Sequence, residues 1–189
     1  MTVRFSRSGA RRYAVIVTVA GEPVRTMDPA PAYDDDIPHD LVHYLVEAEL
    51  GLMEGVFGRA ARGGGTFIPT AEPGASPKER ARQQRKQRRR ERGFDARDAR
   101  QAADLSESER LAQLCDVAWR RKHGQRPDPL RSAPVLLDED AAAVERVVAR
   151  LDAVAPLWRA LPVGHELVFD WPSAVPSGAN RAIVQPREG

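Results

Sequence analysis

Residues 13–19 read Tyr-Ala-Val-Ile-Val-Thr-Val, apolar or β-branched at both parities and bounded by turn residues. Such a run predicts a central strand covered on both faces, because alternate side chains point to opposite sides of a sheet. It needs neighbouring strands and a packed layer, and the chain supplies both. Val3 and Phe5 alternate with polar residues, as in a half-buried strand, and Ser8-Gly9 makes a turn. Ala20-Gly21-Glu22-Pro23 makes a second turn, with a third strand over Val24 to Met27. The three form an antiparallel meander. Far away in sequence, Leu167, Phe169 and Trp171 alternate with polar residues in a further strand that Pro172 stops.

Between these strands the apolar period changes from two to about 3.6. Pro38 fits a helix start, and Asp40 suits the first turn, where a negative charge complements the helix dipole. Leu41, Leu45, Ala48 and Leu52 form one face, and Gly51 weakens or ends the helix. Met53 to Ala61 predicts a short helix that stops at Gly63-Gly64-Gly65, a triplet that follows a helix and so is no phosphate loop. Thr66 to Pro77 reads as loop. Ser106-Glu107-Ser108-Glu109 reads as a capping box ahead of the stripe Leu111, Leu114, Cys115 and Ala118. Asp138 caps a second helix carrying Val144, Val147, Val148, Leu151 and Val154, which Pro156 kinks or restarts.

These elements predict an α+β protein: a small antiparallel sheet, the N-terminal meander plus the C-terminal strand, packed against several helices. Hydrophobic residues at 42 % suffice for a core, while charged residues at 30 % require solvated parts. The expected organisation is one domain over 1–172, a flexible basic insertion at about 69–103, and a disordered tail over 173–189.

One run has the residue types for chemistry: Pro38-His39-Asp40-Leu41-Val42-His43-Tyr44-Leu45-Val46-Glu47. Side chains four apart share a helix face, so His39, His43 and Glu47 stack. The spacing His39-Asp40-Leu41-Val42-His43 is that of the zincin motif, with Asp40 where a glutamate normally activates the metal-bound water. Aspartate is one methylene shorter and reaches that water less well. Eight residues of helix span about 12 Å, so His39, His43 and Glu47 cannot all close on one ion. Either adjacent pair can chelate. A third ligand must come from elsewhere, with Asp34, Asp35, Asp36, His165 and Glu166 as candidates.

The second candidate lies in residues 78–92, with nine basic and two acidic residues. The net charge of +2 thus divides into +7 here and −5 elsewhere. Arg80, Arg82, Arg85, Lys86, Arg88, Arg89, Arg90 and Arg92 can bind phosphates by counterion release. No aromatic within the run can stack on bases, so the contact would be non-specific. Lysine occurs only at 78, 86 and 122 among 29 basic residues, and alanine is abundant. That bias lowers the weight of the arginines.

The single cysteine, Cys115, can form no internal disulfide and reads as a small buried residue. No stretch approaches the roughly 18 apolar residues of a membrane span, and no basic-then-apolar segment opens the chain. The expected location is cytoplasmic, without a membrane partner.

Three stretches together resemble a group of small uncharacterised bacterial proteins: Met27-Asp28-Pro29 with the histidine run, the basic run leading to Ser108-Glu109-Arg110-Leu111, and Leu151 through Leu161-Pro162-Val163-Gly164 to Trp171-Pro172. The resemblance spans most of the chain and implies one continuous protein. It carries over no site residue. The sequence thus points first to a non-catalytic binding or interaction module with a protein partner and no cofactor. The alternatives are a zinc-binding or zincin-like protein using the histidine helix, with Asp40 as base, and a weak nucleic-acid binder using the arginines.

Overall fold

The computed structural model describes residues 1–70, 99–125 and 136–178, together with the helical residues Lys78, Glu79, Arg82 and Arg85. Strands β1 (Thr2–Gly9), β2 (Arg12–Thr18) and β3 (Arg25–Met27) form the expected meander. Helices α1 (His39–Leu50) and α2 (Val56–Ala61) follow, then β4 (Ile68–Pro69) and α3 (Ala99–Lys122). A 3-10 turn over Asp138–Asp140 leads into α4 (Ala141–Arg159), and β5 (Glu166–Asp170) and β6 (Pro176–Gly178) complete the sheet. The strand order is β4-β3-β2-β1-β5-β6, with every pair antiparallel.

This is the expected α+β fold, with the first and last described segments adjacent in one sheet. Register explains the layer. Val3 pairs with Val17 on one side and Phe169 on the other, and Phe5 pairs with Val15 and Leu167. These side chains share one face and are all buried. Helices cover that face. Phe5 meets Tyr44 edge to face at 5.8 Å, Tyr44 meets Phe169 at 4.8 Å, and Tyr13 meets Trp158 edge to face at 5.8 Å.

The opposite face departs from expectation. Ala14 is buried there, but Arg4, Ile16 and Val168 are only half-buried. The apolar run of β2 reflects β-branched residues that suit a strand, with full cover on one side among the described residues.

Helix α1 occupies the middle of the helical layer, touching α2, α3 and α4. Its buried residues run unbroken from Leu41 to Glu47, so a single apolar stripe understates its burial. Pro38 stands at the cap position with extended backbone instead of in the first turn. Gly51 ends the helix with a left-handed φ of 70°, as a C-terminal glycine does.

Four other expectations change. The supposed capping box at Ser106 and Glu109 lies inside α3, which is already helical at Ala99, inside the stretch expected to be a flexible insertion. Pro156 does not restart α4: it sits in the last turn, and the helix runs on to Arg159. Asp138 does not cap α4 but lies in the 3-10 turn before it, which Asp140 holds: its carboxylate accepts the Leu137 N–H at 3.1 Å and an N–H from each terminal guanidinium nitrogen of Arg110 at 2.7 Å. Finally, Ile68–Pro69 and Pro176–Gly178, read as loop and tail, add the two edge strands. Strands this short carry too few residues to show alternation. Residues 179–189 lie outside the described residues.

Candidate metal centre

Helix α1 presents His39 and His43 one turn apart, and their rings meet nearly perpendicular with centroids 4.5 Å apart. Their Nε2 atoms are 3.1 Å from one another. Helix α3 lies alongside and brings in Glu109. One carboxylate oxygen is 3.2 Å from His43 Nε2, and the other is 3.8 Å from His39 Nε2. One ligand atom from each residue fits within 4.8 Å of the others. The His39 and His43 side chains are only 18 % and 7 % exposed, whereas Glu109 is 65 % exposed. The cluster therefore opens to solvent on its carboxylate side.

Glu47 was expected beside the histidines and is not. Its fully buried carboxylate accepts the Val56 N–H at 2.7 Å and the Phe57 N–H at 2.8 Å, capping α2 from the neighbouring helix. The cap residue Gly55 has no side chain for this role, and a Cβ there would lie 2.3 Å from the Glu47 carboxyl carbon. Glu47 also accepts the Ser108 hydroxyl at 2.8 Å, and that hydroxyl is 3.1 Å from His43 Nδ1. Ser108 thus links Glu47 to His43 by hydrogen bonds. Burial pushes the Glu47 carboxyl above its usual range, against the opposing pull of Ser108, the two amides and His43.

Asp40 faces the sheet, where the Tyr13 hydroxyl donates to it at 2.5 Å. The proposed third ligands are dispersed. Asp34 accepts from the Ile37 amide and pairs with Arg120, Asp35 lies beside Arg7 and Arg11, and Asp36 pairs with Arg159. Glu166 pairs with Arg4, and the His165 ring lies near the Val163 carbonyl. These five residues sit in the loop before α1 and at the start of β5, apart from the cluster.

The third member of the cluster, Glu109, falls in the pattern that reads as a capping box. A usable signal existed. The α3 stripe Leu111, Ala112, Cys115 and Trp119, traced back one turn, lands on Ser108, which is fully buried. A serine on the buried face of a helix calls for a polar partner, and its neighbour Glu109 sits at the rim of that face.

Of the arginine candidates, Arg82 and Arg85 are exposed on helical backbone, while Arg80, Lys86, Arg88, Arg89, Arg90 and Arg92 lie outside the described residues. Cys115 is fully buried in α3. Burial, and then Asp140 and Asp116, push its thiol up to about 12. Only the thiolate is nucleophilic, so alkylation of the native protein at pH 8 should run about a thousandfold slower than that of a free thiol. Rapid labelling before unfolding would show that α3 is not packed as described. No described helix is long and apolar enough to cross a membrane.

Comparison with protein-family models, with curated proteins and with solved structures finds no match, so the cluster stands on its own geometry.

Proposed function

We propose that this protein binds a divalent transition-metal ion of the zinc class through His39 Nε2, His43 Nε2 and the Glu109 carboxylate. The observation that carries the reading is the convergence of two imidazole nitrogens 3.1 Å apart on α1 with a carboxylate from α3, one oxygen of which lies 3.2 Å from His43 Nε2 and the other 3.8 Å from His39 Nε2. A tetrahedral ion with bonds of 2.0–2.1 Å places its ligands about 3.3–3.4 Å apart, close to the 3.1 Å between His39 and His43 and the 3.2 Å between His43 and Glu109. Two imidazoles with one carboxylate favour zinc and its neighbours over magnesium or calcium, which prefer oxygen ligands.

Three protein ligands leave a fourth position on the solvent side, for water or an exogenous donor. The Tyr13 bond to Asp40 disfavours the zincin-like alternative, because the base it requires is held against the sheet. The reading is therefore a binding protein whose ligand is a metal ion.

Protein purified without a histidine tag should compete with a chromophoric chelator for one zinc ion per chain. Ligating nitrogens must be deprotonated, and two of them are involved. The affinity should therefore fall as pH falls. At a hundred times the dissociation constant zinc adds about 2.7 kcal/mol of stability, or roughly 5–10 °C in Tm for a chain of this size. Absence of both competition and thermal shift refutes the reading.

A further inference from the structure

Ser108 is fully buried within a helix, and its hydroxyl lies between two side chains of α1, His43 at 3.1 Å and Glu47 at 2.8 Å. We propose that Ser108, backed by Glu47, is a positioning residue that fixes His43 in the Nδ1–H tautomer and so reserves Nε2 for the metal. The affinity part of this inference rests on the metal reading; the tautomer part does not.

The argument follows the protons. Glu47 faces three donors: the Val56 amide, the Phe57 amide and the Ser108 hydroxyl. A hydroxyl has one proton, and Ser108 gives it to Glu47. Its oxygen can then only accept, so the hydrogen bond to His43 requires a proton on Nδ1. A neutral imidazole carries one proton, which leaves Nε2 with its lone pair aimed at His39 and Glu109. This is the minor tautomer of free histidine, so the protein has to select it. The chain of carboxylate, hydroxyl, imidazole and metal site extends the carboxylate–histidine–metal arrangement that orients ligands and raises their basicity.

A serine, a histidine and a glutamate in contact also suggest a hydrolytic triad. The order of bonds is wrong for one. The hydroxyl donates to the carboxylate instead of to the imidazole, and Ser108 has no exposed surface from which to attack a substrate.

Nitrogen-15 NMR of the histidine side chains in metal-free protein tests this directly. Wild-type His43 should show a protonated Nδ1 and an unprotonated Nε2. Ser108→Ala should shift His43 toward Nε2–H and weaken zinc binding about 10–100-fold, while Ser108→Thr, which keeps the hydroxyl, should restore the tautomer and most of the affinity. A purely structural serine would alter stability without moving the tautomer. If a variant does not fold, the wild-type spectrum decides alone: His43 protonated at Nε2 overturns the inference. Wild-type protein that takes no zinc yet shows Nδ1–H His43 overturns the metal reading and upholds the relay. Zinc binding by a protein whose metal-free His43 carries Nε2–H does the reverse.

Discussion

His43→Ala should lower zinc affinity by at least about a hundredfold, more than either of the other two ligand substitutions. His43 Nε2 lies on both short edges of the cluster, 3.1 Å from His39 and 3.2 Å from Glu109. It is also the ligand whose far nitrogen is engaged by a buried group, Ser108. Its removal takes away a ligand together with the ring orientation that Ser108 holds. His39→Ala should cost somewhat less, because that ring is more exposed. Glu109→Ala should cost least, about tenfold, since a water molecule can replace an exposed carboxylate oxygen at an open position. Chelator competition on the three variants measures the order, with circular dichroism confirming that each is folded. An equal loss for all three would mean that the side chains act as a loose chelate. A loss confined to Glu109→Ala would place any bound cation on carboxylates and refute the centre as drawn.

How much of this centre the sequence discloses depends on whether the contact is local. His39 and His43 share a helix turn, so their spacing alone pairs them. The same helical rise excludes Glu47 from their ion, and the structure places Glu47 elsewhere. Glu109 is 66 residues beyond His43 and reaches it only through the packing of α3 on α1. No periodicity within either segment encodes that pairing. The fold shows the same division. Alternation at Val3, Phe5, Leu167 and Phe169 marks the sheet face, because each strand buries one side by itself. The two short edge strands and the capping of α2 by Glu47 depend on neighbours distant in sequence, and local patterns are blind to them. Ser106 to Glu109 illustrates the hazard. A pattern that fits a helix start fits a helix interior equally well when the preceding residues are also helical.

Gly58→Ala should destabilise the protein by about 2 kcal/mol, lowering Tm by roughly 4–8 °C. Helix propensity alone argues the opposite, since alanine in place of glycine inside a helix gains about 1 kcal/mol. The structure decides the sign. A Cβ at Gly58 would lie 2.0 Å from the Met53 carbonyl oxygen and 2.3 Å from its carbonyl carbon. Both are backbone atoms, so no rotamer change relieves the contact, and overpacking of about 3 kcal/mol outweighs the propensity gain. The segment cannot simply move away. Its N-terminal amides are bound by Glu47. The far end of α2 is held by Arg25, which donates to the carbonyls of Ala60 and Gly64. Displacing α2 therefore pulls on Glu47 and, through Ser108, on His43. Alongside the lost stability, Gly58→Ala should weaken zinc binding severalfold without touching a ligand. Denaturant unfolding and the chelator titration measure the two effects on one sample. An unchanged or raised stability would show that α2 does not pack this closely on the turn at Met53. Lost stability with wild-type affinity would show that the capping of α2 and the metal ligands are uncoupled.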